Sequence, residues 1–148
     1  GKPLWEARLE CIAGVRAIEL LLEQCRSLLT PKAHPTTRGT LQRRPMGTIA
    51  VLTPYPYPVF SPLQLLLPCL VGGNVVIWKP SSHVPLTSQK LVEAFDAAQL
   101  PDGVLSMIQG PRDPIGAALV GSPGIDMVVG AGSASLLVFN FATCSDFS

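Results

Sequence analysis

The stretch "GGNVVIWKPSS", residues 72–82, decides how the rest of the chain is read. Its apolar centre, "VVIW", has the β-branched and aromatic composition of a strand covered on both faces. Gly72, Gly73 and Asn74 open it with a turn. Lys79, Pro80, Ser81 and Ser82 close it. A buried strand needs no lysine and no hydroxyls at its end. A strand that delivers a cation and hydroxyls to a ligand needs both.

Working outward, strand-like and helix-like stretches alternate. Upstream lie "GTIAVL" (residues 47–52), a β-rich run, and then a helix over residues 61–72. Downstream, residues 84–100 form an amphipathic helix with Leu91, Val92, Phe95 and Ala98 on one side. A third strand sits in "LPDGVLSMIQG", a short helix in "DPIGAALVGSP" with Pro114 in its first turn, and a fourth strand in "IDMVVGAGS". This alternation implies βαβ units and a mostly parallel α/β sheet. In such a sheet, ligands bind beyond the carboxyl ends of the strands. Thr53 and Pro54, Lys79 with Ser81 and Ser82, Gln109 and Gly110, and Gly130 to Ser133 all fall at strand ends. Four loops would converge on one rim; each taken singly could equally be an ordinary surface turn.

Before this region, residues 3–29 read as one long helix. Pro3 suits its first turn, and Trp5, Leu9, Ile12, Val15, Ile18 and Leu22 make an apolar stripe. "TPKAHPTTRG", residues 30–39, is a polar connection in which His34 is solvated. The chain therefore divides into residues 1–38, helix and connection, and residues 39–148, the sheet-bearing part.

Composition narrows the function classes. The 148 residues carry a net charge of +1 with no basic block, so no nucleic-acid or anionic-membrane footprint is present. Charged residues are 14% of the chain and the mean hydropathy is +0.37. Either the core is very dry or apolar surface meets a second domain, a further part of the protein or a partner. The apolar run 59–78 is broken by Pro62, Pro68, Gly72, Gly73 and Asn74, which argues against a membrane span. The four cysteines, Cys11, Cys25, Cys69 and Cys144, have no CxxC spacing and no histidine cluster, so neither a metal site nor a disulfide scaffold is expected. Reduced cysteines in apolar stretches point to the cytoplasm. Cys11, Cys25 and Cys69 read as packing residues. Glu93 and Asp96 read as a solvated helix face, and His83 as an exposed turn residue.

"GTIAVLTPYPYP", "PCLVGGNVVIWKPSS", "LPDGVLSMIQG" and "GIDMVVGAGS" resemble, in order and spacing, successive landmarks of the aldehyde dehydrogenase superfamily. "GKPLWEA", residues 1–7, is most similar to the branch that oxidises succinylglutamate semialdehyde in arginine catabolism. The resemblance runs from Gly1 to Ser135. It implies part of an aldehyde dehydrogenase fold: a long helix followed by the first part of a Rossmann-like domain that binds NAD or NADP. It implies oxidation of an aldehyde to its acid by a nucleophilic cysteine and an activated water. The partners implied are a nicotinamide dinucleotide, a small aldehyde and, in the complete protein, further copies of itself.

The resemblance also assigns residues. Lys79 would bond the adenosine ribose, with Ser81 beside it. Ser82 stands where the family commonly has a ribose-binding glutamate. Gly132 and Ser133 match the turn that meets the pyrophosphate at a helix N-terminus. Thr53, Pro54 and Gly110 would line the rest of the cleft. No catalytic residue is expected in this chain, since the family's nucleophilic cysteine and general-base glutamate come later, and Cys144 matches neither in place nor in motif. Pro56 replaces the asparagine that supports the oxyanion, and loss of one such donor lowers turnover by on the order of 100- to 1000-fold. The glycine pattern fails near Leu137. A degenerate homologue, acting as a nucleotide-binding or protein-interaction module, is the alternative; a small membrane-associated protein rests on hydrophobicity alone.

Overall fold

The computed structural model describes residues 2–36 and 38–132. Helix α1 (Leu4–Leu29) is followed by two short strands, β1 (Lys32–Ala33) and β2 (Thr40–Leu41). Then come β3 (Thr48–Leu52), α2 (Phe60–Val71), β4 (Val75–Lys79), α3 (Pro85–Ala97), β5 (Leu105–Met107), α4 (Arg112–Val120) and β6 (Met127–Gly130). Strands β3 to β6 form one parallel sheet in the order β5-β4-β3-β6.

Strand alternation builds two layers on this sheet. Ile49, Val51, Val76 and Trp78 face one way and pack with Leu66 of α2 and with Leu91, Val92 and Phe95 of α3. Ala50 and Leu52 face the other way, against Leu119 and Val120 of α4. The central strand, β3, is therefore buried on both sides. The chain steps outward from β3 to β4 and β5, then returns to lay β6 on the opposite side of β3. The order reverses between β3 and β6, where an open α/β sheet leaves a crevice.

The amino ends of the strands are held by side-chain bonds to main chain. Buried Asn74 accepts from the amides of Met46 (2.6 Å) and Gly47 (3.2 Å) and donates to the Cys69 carbonyl (2.9 Å). Asp126 accepts from the Thr48 amide at 2.7 Å, tying the entry of β6 to β3. Gly47 has φ +123°, and a Cβ there would lie 2.1 Å from the Asp126 carboxylate, so only glycine fits.

Four sequence expectations need correction. The polar connection contains a small antiparallel element, with Lys32 opposite Leu41 and Ala33 opposite Thr40. Ala98 lies past the end of α3 and is exposed, so it is not part of that helix's packed face. The apolar stripe of α1 does not face the domain as one surface. Trp5 (64% exposed), Leu9, Ile12 and Val15 point to solvent, whereas Glu10, Gly14 and Cys25 are buried. Gly14 is what lets α1 approach α2, since a Cβ there would lie 3.2 Å from the Leu63 side chain. Cys11 is exposed, so the packing role expected of it belongs to Cys25 and, in part, Cys69. As expected, residues 59–78 divide into helix, turn and strand. No helix among the described residues is long and apolar enough to cross a membrane.

Glu10 is the acid that α1 buries. One carboxylate oxygen accepts from the amides of Val59 (2.7 Å) and Phe60 (3.0 Å), which begin α2; the other binds the Lys2 ammonium. Burial pushes the Glu10 carboxyl up, but Lys2 and the two amides outweigh it and hold the group below its ordinary value of 4.5. Such a group binds protons more readily in the unfolded chain. Its stabilisation is complete above the ordinary carboxylate value and is lost as pH falls through the folded value. Urea midpoints measured from neutral to acid pH should therefore fall less steeply in Glu10→Gln than in the wild type. Parallel curves would show that Glu10 does not contribute to acid sensitivity.

Candidate functional site

A cavity of about 560 Å³ opens in the crevice between β3 and β6. Its volume lies within the roughly 300–1,000 Å³ of small-molecule sites. Leu52, Thr53 and Pro54 reach it from the end of β3, Lys79 to His83 from the end of β4, and Ala131 and Gly132 from the end of β6. Gly116 and Val120 of α4 close one side, and Tyr55 and Pro56 form a wall.

The sheet ladder continues into this rim. The Thr53 amide donates to the Lys79 carbonyl at 3.3 Å, and the Ala131 amide to the Leu52 carbonyl at 3.1 Å. The Thr53 hydroxyl accepts from the Trp78 indole N–H at 2.9 Å in a buried contact. Thr53 thus clamps the largest core side chain from the rim, while its own O–H can still donate.

Lys79 is buried at 6% exposure. Its ammonium donates to the Gly110 carbonyl at 3.1 Å and to the Pro80 carbonyl at 3.4 Å. It is the sole Lys, Arg, Asp or Glu side chain among the described residues that line the cavity. A cation at the wall of an apolar niche suits a polar or anionic ligand. Gly110 does not line the cavity; its part is to hold the lysine. That residue has φ +147°, and a Cβ there would meet the Ile115 side chain at 2.1 Å, so the anchor depends on glycine.

Ser81 is half-buried, and its hydroxyl accepts from the His83 amide at 3.3 Å. Ser82 and His83 are exposed at the mouth, as expected for His83. The His83 ring stands edge-on to Tyr55, with centroids 5.4 Å apart. Gln109 lies away from the cavity, with its side chain 3.4 Å from the Pro85 carbonyl. The structure thus brings Thr53, Pro54, Lys79, Ser81, Ser82 and Gly132 to one cavity and places Gly110 behind Lys79. Ser133, Leu137 and Cys144 lie outside the described residues. Tyr55, His83, Gly116 and Val120 were not singled out as lining residues. The aromatic residues of "PYPYP" could have signalled Tyr55; nothing in the sequence showed which face of α4 meets the crevice.

No cysteine lines the cavity among the described residues. The Cys69 thiol is pushed up by burial, with a smaller contribution from Cys25, which suits a packing role. No group of three or more His, Cys, Asp or Glu side chains able to hold a metal occurs among the described residues. His34, expected to be solvated, is half-buried, and its ring Nδ1 accepts from the Thr36 amide at 3.3 Å.

Residues 1–137 match the model of the Aldehyde dehydrogenase family. The N-succinylglutamate 5-semialdehyde dehydrogenase of Vibrio cholerae serotype O1 is 39% identical over 137 residues, covering 91% of this chain and 28% of that protein. The protein of the same name from Ectopseudomonas mendocina is 38% identical over 135 residues, with 90% and 28% covered. Among solved structures, an NAD-dependent aldehyde dehydrogenase from Sinorhizobium meliloti superposes with a TM-score of 0.87 at 28% identity, covering 99% of this chain and 30% of that one. The chain spans about 28% of the length of the curated relatives it matches.

The Thr53–Trp78 contact makes a direct prediction. Thr53→Val keeps shape but leaves the buried indole N–H without this acceptor, which typically destabilises by about 1–3 kcal/mol. Urea unfolding should show a loss in that range. A midpoint equal to wild type would mean that the contact contributes nothing net.

Proposed function

The chain belongs to the aldehyde dehydrogenase family, and on that premise we propose that it supplies the dinucleotide-binding part of an NAD- or NADP-dependent aldehyde dehydrogenase. The observation that carries the reading is the position of Lys79. A buried ammonium stands at the carboxyl end of a parallel strand, in a cavity at the point where the strand order reverses. There Lys79 and the Ser81 hydroxyl can bond an adenosine ribose. The main chain at Thr53, Pro54 and Gly132 can line the passage to the pyrophosphate; Ser133, next in sequence, is assigned to it by the resemblance alone. Gly110 acts through Lys79. When bound, the dinucleotide supplies a hydride acceptor; this chain's residues bind and orient it.

The whole protein would oxidise a small aldehyde to its acid. Succinylglutamate semialdehyde is the candidate substrate, from the likeness to the two relatives named above, and arginine catabolism is the setting the resemblance implies. The nucleophilic cysteine and the general-base glutamate are assigned to no residue of this chain. We retain the division at residues 38 and 39, a cytoplasmic setting and assembly of the complete protein from identical copies as parts of the same proposal.

One feature favours a second reading. Pro56 forms the cavity wall where the family resemblance calls for an asparagine donor, and proline has neither a side-chain donor nor an amide N–H. A homologue that keeps nucleotide binding without the chemistry would carry such a change. Titration separates the readings. If the cavity takes a dinucleotide, NAD+ and NADP+ should both bind the 148-residue chain, while aldehyde and NAD+ together should yield no NADH. No binding would remove the dinucleotide reading; NADH production would remove the assignment of catalysis elsewhere.

Ser82 sets the expected preference. It lines the cavity mouth, and no carboxylate lines that cavity among the described residues. A 2′-phosphate would therefore meet no acid of the lining. NADP+ should bind at least as tightly as NAD+, and Ser82→Glu should weaken NADP+ relative to NAD+ by about tenfold, through like-charge repulsion. A strong NAD+ preference in the wild type would overturn the assignment of Ser82.

A further inference from the structure

The segment 54–59 of the loop between β3 and α2 contains Pro54, Pro56 and Pro58. Three of its six residues lack an amide N–H, so it has few means of holding itself. It is nevertheless a partition. Tyr55 and Pro56 line the cavity at the sheet rim, and they also line a second cavity of about 750 Å³ between this loop and the starts of α1 and α3. A partition made of alternating prolines needs support from outside.

That support comes from two residues near the start of the chain. The Lys2 ammonium donates to the Pro56 carbonyl at 3.3 Å, lies 4.6 Å from the Tyr57 ring centroid and bonds the buried carboxylate of Glu10. Glu6 is a second acid within 3.8 Å. Glu10 in turn takes the amides of Val59 and Phe60, where α2 begins with no cap from its own residues. Lys2 thus holds the middle of the loop by a carbonyl and a ring, and Glu10 holds its end by two amides. The two holds are joined by an ion pair.

We propose that Lys2 and Glu10 are positioning residues: together they latch residues 54–59 to α1 and so fix the partition between the two cavities. The effect on dinucleotide affinity rests on the cavity reading given above; the latch itself does not. Neither residue lines the rim cavity, so both act through Tyr55 and Pro56.

The test uses the 148-residue chain at neutral pH with Lys2→Met, Lys2→Arg and Glu10→Ala. Amide hydrogen exchange is read residue by residue, together with the ring contact between Tyr55 and His83 by NMR. Exchange at Val59 and Phe60 should rise by about tenfold or more in Glu10→Ala and in Lys2→Met, and the Tyr55–His83 contact should weaken, while β3 and β4 keep their protection. Lys2→Arg keeps the charge and reach and should restore both readouts to within about twofold of wild type. The Kd for NAD+ should weaken by about three- to tenfold in the two disruptive variants only. Unchanged exchange and ring contact in both disruptive variants would overturn the latch, as would failure of Lys2→Arg to restore them. If Glu10→Ala loses protection throughout the sheet, Lys2→Met decides. A loosened loop with an unaltered Kd would overturn the positioning role. A wild-type chain that takes up no NAD+ would overturn the cavity reading and not the latch, which exchange and the ring contact decide alone.

Discussion

Two neighbouring residues on β4 must point in opposite directions, and the site depends on this. Trp78 goes into the core between the sheet and the helices α2 and α3; Lys79, next along, turns to the crevice side. The alternation is a property of any extended strand. Here it places the largest core side chain back to back with the cation of the cavity. The Thr53 hydroxyl then binds the indole from the adjacent strand end, so the packing of Trp78 and the shape of the rim cannot change independently. A ligand site built this way rests directly on the buried core of the sheet.

The ends of the sheet are finished differently. At the amino ends, Asn74 and Asp126 satisfy main-chain amides with side chains, which fixes register. At the carboxyl ends, glycine and proline dominate, and one lysine is held by two carbonyls. The first arrangement is saturated; the second leaves hydroxyls and main chain facing a cavity.

Much of this was legible in the sequence, and the reason is periodicity. "VVIWK" and "TIAVL" are short, apolar and bounded by breakers, so strands, their ends and three of the four expected rim loops could be placed. The resemblance of four ordered segments to one family then gave roles to the rim. What could not be read has physical causes. Glu10 and Gly14 look like solvent-face residues of α1, yet they are buried, because an ion pair and two amides compensate the acid and the glycine admits α2. The apolar stripe, which looks like a packing face, is turned outward over Trp5, Leu9, Ile12 and Val15. Strands of two residues, such as β1 and β2, are too short to show a period at all. Gly110 appeared to be a lining residue because its carbonyl, not its surface, is what the site uses. The part played by α4 depends on the strand order, which no local pattern encodes.

That strand order also shapes how the cavity comes into being. Leu52 meets Lys79 after a single intervening helix, but it meets Gly130 only after three helices and two strands have intervened. Contacts between near neighbours in sequence form with little loss of chain entropy, whereas distant closures are slow. One half of the crevice is thus closed by a local pairing and the other by the pairing of longest range in the sheet described. A chain with β3, β4 and β5 in place would already possess most of its apolar core, yet it would have no cavity. Occupancy of that cavity would then report on the β3–β6 closure rather than on collapse, and any ligand that fits it would act chiefly on that closure.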